Sequence, residues 1–371
     1  MLLAAMVVLF GGCDRRQAVV PSGKTIKIGV IAPLTGTNRA KGKEGLKGIR
    51  AAMRLEPYLQ NGDAIELLTE DDRDEPLRSL QALRRLVRRE RVAAVLTLSS
   101  SGPVLEIAAA ADKYKTPILA LVATHPDITR RSRFVSQLPF DDDFQGAVAA
   151  LYVRDELLVD RVAVFVNPDS AYSRHLKSTF GKKFQSIGGR ITDAVSLTGD
   201  ADDYESILKR VRAERPELIY LPIRAEEVMR IIEKADKIGW RPEMMGSDYL
   251  LSTVLAKYAK KAHQLDGLRA TDLYSPEVPL TPYGKKVAAL YRGEPTSYAA
   301  MGIEGYALLM DAMNRCGDAG DRACINRQIR STRNFTGVLG KISIGPDGKA
   351  DRPLYINAIH GGNMKYIVKV Y

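Results

Sequence analysis

The stretch "VAAVLTLSSSGPVLEIAAAADKYKTPILAL", Val92–Leu121, decides the fold. Val92–Leu98 is an almost unbroken apolar run, the pattern of a parallel strand covered on both faces. Gly102 and Pro103 end it, and Pro103 suits a helix's first turn, where its missing N–H costs nothing. Val104, Ile107, Ala108, Ala111 and Tyr114 then repeat at helical spacing. Ser99, Ser100 and Ser101 therefore stand where a strand's carboxyl end meets a helix N-terminus. Two uses fit that place. One serine hydroxyl can cap the first free N–H groups, or free N–H groups, helix dipole and hydroxyls together can hold an anion.

The same alternation runs outward in both directions. "IKIGVIAP" and "AIELLTEDD" read as strands, separated by "EGLKGIRAAMRLE" with helical spacing at Leu46, Ile49 and Met53. In "PLRSLQALRRLVRRERV" the spacing predicts Leu77, Leu80, Leu83, Leu86 and Val87 facing inward and the arginines facing water. After "LPFDDDFQG" the pattern restarts: "RVAVFVNP", "ITDAVSLT", "LIYLPI" and "EMMGSDY" as strands, with amphipathic helices between. Two such series in 371 residues imply two α/β lobes, each with a parallel central sheet covered on both faces. Ligands in open α/β sheets bind outside the strands' carboxyl ends. Here those ends carry Pro33–Thr37, Ser99–Ser101, Ala123–Thr124, Asn167–Tyr172, Pro222–Arg224 and Ser247–Asp248. Small hydroxyl residues facing Tyr172, Arg224 and Asp248 suggest a carboxylate cradle opposite an acid that holds a cation.

Composition excludes several classes. The chain is 45% hydrophobic and 27% charged, with a formal charge of +11. Its basic residues lie mostly on helix faces opposite apolar stripes, and no zinc-finger, RNP-type or aromatic-interleaved basic segment points to nucleic acid. Attraction to anionic lipid is the other use of such a surface. No P-loop, G-x-S-x-G or H-E-x-x-H pattern is present, nor a recognisable nucleophile–base pair, so an enzyme is not expected. His125, His175, His263 and His360 are dispersed, and no metal or cofactor is expected. Met244, Met245 and Trp240 read as packing residues, Asp71 and Asp72 as structural caps.

The amino terminus "LLAAMVVLFGGC" is too short to span a bilayer and reads as an export signal, with "DRRQAVVPSGK" as a tether. Its small-small-Cys ending resembles a bacterial lipoprotein signal, which implies lipidation at Cys13. Phe10, where Leu is usual, and the lack of a basic residue ahead of the apolar run depart from that signal. With Cys13 set aside, Cys316 and Cys324 in "NRCGDAGDRACIN" are expected to form a local disulfide in an oxidising compartment. Metal binding is the weaker alternative, because no nearby His completes a site.

In order, "IKIGVIAPLTG", "LTEDDRDEP", "LSSSGPVLEIAAAADKYKTPILALVATHPDIT", "LPFDDDFQG", "VNPDSAYSRHL" and "MMGSDY" resemble the branched-chain amino-acid-type (Leu/Ile/Val-binding) periplasmic solute-binding proteins of ABC importers. The resemblance covers Lys24 to about Gly348. It implies a type I periplasmic binding fold: two Rossmann-like lobes joined by three crossover strands, near Val135–Leu138, Leu268–Thr271 and Ile342–Gly345. Residues 1–23 would then be signal and tether, 24–137 plus 271–342 lobe 1, and 138–270 plus 343–371 lobe 2. The family's grip on an α-amino acid maps onto Ser100, with Ser101 adjacent, and Thr124 for the carboxylate, the Val122 carbonyl, Tyr172 against the ligand, and Asp248 for the ammonium. Lys41 and Arg224 fall where the family favours aromatic residues. If they face the cleft, a ligand more polar or more acidic than leucine is expected; otherwise they face solvent or pair with acids of their own lobes. The implied protein is a monomeric, extracytoplasmic receptor, lipid-anchored to the membrane. It closes on an amino acid or related small carboxylate and hands it to ABC permease subunits. A sensory module for an organic acid is the alternative.

Overall fold

A computed structural model describes residues 20–198 and 203–371. Cys13 lies outside the described residues, as does the export signal. The first half alternates as expected: β1 (Thr25–Ala32), α1 (Arg39–Leu55), β2 (Ala64–Asp71), α2 (Pro76–Arg88), β3 (Ala94–Thr97), α3 (Ser101–Tyr114), β4 (Ile118–Ala120), α4 (Asp127–Arg130) and β5 (Val135–Gln137). These strands form one parallel sheet in the order β2-β1-β3-β4-β5. Ile28, Val30, Val95 and Leu96 are fully enclosed, because helices cover both faces.

The second series follows: α5 (Asp142–Leu151), β6 (Arg161–Val166), α6 (Ala171–Ser186), β7 (Arg190–Ser196), α7 (Tyr204–Ala213), β8 (Leu218–Leu221), α8 (Ala225–Lys237), β9 (Glu243–Gly246), α9 (Leu250–Tyr258) and β10 (Arg269–Asp272). Next come α10 (Pro282–Tyr291), α11 (Ser297–Asn314), α12 (Arg322–Arg330), β11 (Phe335–Thr336), β12 (Lys341–Ile344), β13 (Ala350–Asp351), β14 (Leu354–His360) and β15 (Asn363–Val370). The second sheet runs β15-β14-β10-β9-β8-β6-β7, parallel from β7 to β10 and antiparallel at β14 and β15. A small antiparallel sheet joins β11, β12 and β13.

After β10 the chain returns to the first lobe, where α11 packs on α1 backbone to backbone. A Cβ on Gly48 would fall 2.2 Å from the Ala299 carbonyl oxygen, and one on Gly302 2.1 Å from that of Gly45. The two helices meet this closely because these positions carry no side chain. Residues 346–348 still bond to the first lobe, through Gly348 O to Gln137 N at 2.8 Å and Pro346 O to Arg330. The chain rejoins the second sheet at Leu354.

Just before that return, Arg352 is buried with Glu304 at 2.9 Å, both side chains 2% exposed. Its guanidinium also reaches the carbonyls of Leu138, after β5, and Leu273, after β10. A single buried cation thus touches all three passages between the lobes.

One detail differs from the sequence reading, the buried face of α2, whereas the expected disulfide is present. Leu77 is 71% exposed, and the buried stripe of α2 runs through Ser79, Ala82, Leu83, Leu86 and Val87. The buried Asp72 carboxylate accepts from the Ser79 hydroxyl, which turns the helix toward that residue. Cys316 and Cys324 are disulfide-bonded, with Cα atoms 6.0 Å apart. No helix among the described residues is long and apolar enough to cross a membrane, and no group of side chains among them could hold a metal ion.

Candidate ligand-binding cleft

The carboxyl ends of both sheets face each other across a cavity of about 400 Å³. Of the residues singled out from the sequence, Lys41, Ser100, Ser101, Val122, Tyr172, Arg224 and Asp248 line it. Thr124 does not; it is buried one layer behind.

The three serines divide their work. Ser99 is fully buried and donates to the Asp72 carboxylate, so it belongs to the frame. Ser100 occupies the N-cap position of α3 but makes no side-chain cap bond. Its N–H donates to Asp74 Oδ1 at 2.7 Å and its hydroxyl to Asp74 Oδ2 at 2.6 Å. Lys41 Nζ pairs with the same carboxylate at 3.0 Å and donates to the Ser100 hydroxyl, while Asn38 Nδ2 donates to Asp74 Oδ2 at 2.6 Å. Burial alone would raise the Asp74 pKa, but the Lys41 charge and the Ser100 donors override it and hold the carboxyl below its usual range. The anion expected at this helix N-terminus is therefore one of the protein's own carboxylates. Arg73 and Asp74 both adopt left-handed backbone, φ 54° and 64°. That conformation costs roughly 1–2 kcal/mol per non-glycine residue, and the four contacts to Asp74 hold it in place.

Ser101, next along, accepts from the His125 N–H at 3.3 Å and faces the cavity. Among the described residues the Thr124 hydroxyl has no hydrogen-bond partner.

The opposite wall is built around Asp248, at the junction of β9 and α9. The Tyr172 hydroxyl donates to Asp248 Oδ1, and Gln145 Nε2 donates to the same oxygen at 2.7 Å and to Thr271 Oγ1 at 2.7 Å. Both donors use one oxygen, and among the described residues no side chain donates to the other. Burial raises the Asp248 pKa to about 6, against the pull of the Tyr172 and Gln145 donors.

The cations at the rim are matched locally. Arg224 Nη2 lies 3.0 Å from Glu227 Oε1, Lys257 pairs with Glu226, and Lys41 is held by Asp74. Arg224 is half exposed and also reaches a second, polar recess with Thr35, Thr37, Asn38, Arg73 and Glu75. The cleft acids outside these pairs are Asp169 and Asp248, so the uncompensated charge of the wall is negative.

Several lining residues escaped sequence reading. Tyr249 and Tyr298 stack with ring centroids 4.4 Å apart and planes 4° from parallel, one from each lobe. Tyr298 follows the Thr296 cap of α11, and that cap, whose hydroxyl accepts from Ala299 N, was the available signal. Asp74 sits in the quoted "LTEDDRDEP", but nothing local marks it as the partner of a serine far along the chain. His125 lies outside the cavity wall, its ring 4.6 Å from that of His175. Burial and His175 push its pKa down to about 4.

Comparison with known proteins gives four findings. Residues 25–363 match the family described as "Periplasmic binding protein". An "Amino acid binding protein" of Pseudomonas aeruginosa is 25% identical over 327 residues, 85% of each chain. The crystal structure of a leucine-binding protein from Thermotoga maritima superposes with a TM-score of 0.86 at 30% identity, covering 93% of this chain and 98% of that one. A solute-binding protein of an ABC transporter from R. palustris, solved with 4-hydroxybenzoate, has a TM-score of 0.84 at 20% identity over 94% and 97% of the two chains. That last likeness is one of fold alone.

Proposed function

The chain belongs to the periplasmic binding protein family, extracytoplasmic solute receptors and not enzymes, and from that premise we propose that it closes on an α-amino acid and delivers it to an ABC importer. The observation that carries this reading is Asp248: one oxygen is fixed by Tyr172 and Gln145, leaving the other for an ammonium group. Ammonium–carboxylate bonds are charge-assisted and stronger than neutral ones. The negative surplus of the wall favours such a ligand over a dicarboxylic acid.

In this assignment the ligand carboxylate lies against Ser101 and the first turn of α3, with Thr124 one layer behind, and the Val122 carbonyl is an acceptor for the ammonium group. Ser100 acts through Asp74, and its two donors organise the wall. Lys41 and Arg224 shape the rim while paired to acids of their own lobes, so the side chain of the ligand need not be acidic. The Tyr249–Tyr298 pair forms an aromatic wall. We propose moving lobes of 24–137 plus 271–342 and 138–270 plus 343–371, with residues 346–348 still bonded to the first lobe. Ligand contacts to both favour the closed state by differential affinity. A monomer tethered by lipid at Cys13 completes the proposal.

One observation favours a second ligand class. The stacked tyrosines suit an aromatic acid, such as the 4-hydroxybenzoate of the R. palustris protein. That ligand would leave Asp248 without a cation. A thermal-shift screen of protein unfolded and refolded to strip carried-over ligand separates the two. A ligand at a hundred times its Kd adds roughly 2.7 kcal/mol. Shifts by amino acids, lost in Asp248→Ala, support the proposal; shifts by aromatic acids alone, kept in Asp248→Ala, refute it.

A further inference from the structure

Behind Asp248 lies a buried carboxyl that the reading above does not use. Asp142 opens α5 and is fully enclosed, and among the described residues neither of its oxygens has a hydrogen-bond partner. The Thr124 hydroxyl is enclosed and unpartnered too. The two residues are held side by side, the Asp142 N–H donating to the Thr124 carbonyl at 2.9 Å.

The groups facing Asp142 come from several elements: the Thr124 hydroxyl, the Asp248 carboxyl, the Tyr172 phenol on α6, the Tyr220 phenol on β8, and Asp141 and Asp143 in its own turn. None of these is a cation. Lys349 is engaged by Asp141, while His175 and Arg130 are engaged by Asp143. A charge in such a place is strongly disfavoured unless paired. Burial, then the Asp248 charge, drives the Asp142 pKa well above the carboxylate range, against the pull of the neighbouring Thr124 hydroxyl.

We propose that Asp142 is a neutral carboxylic acid, its O–H donated to the Thr124 hydroxyl oxygen, and that it thereby leaves the pair's single negative charge on Asp248 for the ligand's ammonium group. This rests on Asp248 being the ammonium partner. One donated hydrogen gives both orphaned groups a partner, and it frees the hydrogen of Thr124 to turn toward another acceptor. Two neighbouring carboxyls do not readily ionise together, and here the environments differ enough to decide which one does. When a ligand arrives at a pH where Asp248 is protonated, the proton leaves Asp248 for solvent and Asp142 keeps its own.

The test uses Asp142→Asn, which preserves shape and an N–H donor. L-leucine binding by the full-length protein is measured calorimetrically across the titration of Asp248. The expected result is wild-type affinity at neutral pH and an unmoved pH midpoint, because a neutral group has replaced a neutral group. A midpoint lowered by about one pH unit or more would mean a charge had been removed beside Asp248, and would overturn the proposal. So would loss of leucine binding in a folded variant. An infrared difference spectrum of ligand-free wild type against the variant at neutral pH should show the C=O stretch of a protonated carboxylic acid. Its absence overturns the proposal whether or not anything binds. If the wild type binds no amino acid, the ligand reading fails by itself, and the infrared band still decides the state of Asp142.

Discussion

In the proposed reading Asp248 selects the ligand, and its burial beside Tyr172 and Gln145 makes its behaviour specific. Asp248→Ala should abolish binding of ligands that carry an ammonium group and spare those without one, measured by calorimetry with matched amino and hydroxy acids. Buried carboxyls also set the pH dependence of the empty protein. Burial raises Asp272 to about 7 and Asp248 to about 6. Both values exceed the unfolded value of about 3.9, so the stability these groups contribute is fully present below about pH 4. It is lost as pH rises through about 6 to about 7. Denaturant midpoints should fall over that window, and Asp272→Asn should flatten the fall; an unchanged slope would place the proton elsewhere. Asp248, Tyr172 and Ser101 were legible as strand-end residues. Asp74 was not, because its partner Ser100 is 26 residues away and no local pattern links them.

At the scale of elements, helix–helix contact distance is set by glycine. Gly48→Val puts a branched side chain where Ala299 backbone already sits. Overpacking of this kind costs typically about 1–3 kcal/mol, so thermal unfolding should shift clearly downward. Gly181 in α6 is the opposite case, with nothing within 4 Å of an added Cβ. Gly181→Ala should stabilise by roughly 0.5–1 kcal/mol. If both substitutions act alike, packing is not the cause. The parallel strands were readable because burial on two faces leaves an apolar run without alternation. The rotation of α2 was not, since it follows from a buried acid, Asp72, drawing in Ser79 instead of Leu77. The third passage, expected near Ile342–Gly345, comes a few residues later, because residues 346–348 still bond to the first lobe and the short strands β11 to β13 carry too few residues for a pattern.

For the whole molecule, the buried Arg352–Glu304 pair sits where the lobes join. Removing one partner of a buried pair costs about 3–5 kcal/mol, because the other charge is left alone. Arg352→Met should destabilise by about that much in denaturant titration, and adding Glu304→Gln should recover part of it. No recovery would mean that the lost carbonyl contacts, and not the stranded charge, dominate. Those contacts carry a mechanical meaning as well. Leu138, Leu273 and Arg352 stand on three separate passages of the chain, and one rigid, planar cation is bonded to all of them. Three ropes knotted at one point cannot swing independently. If the lobes turn as proposed, any turn has to carry all three passages together.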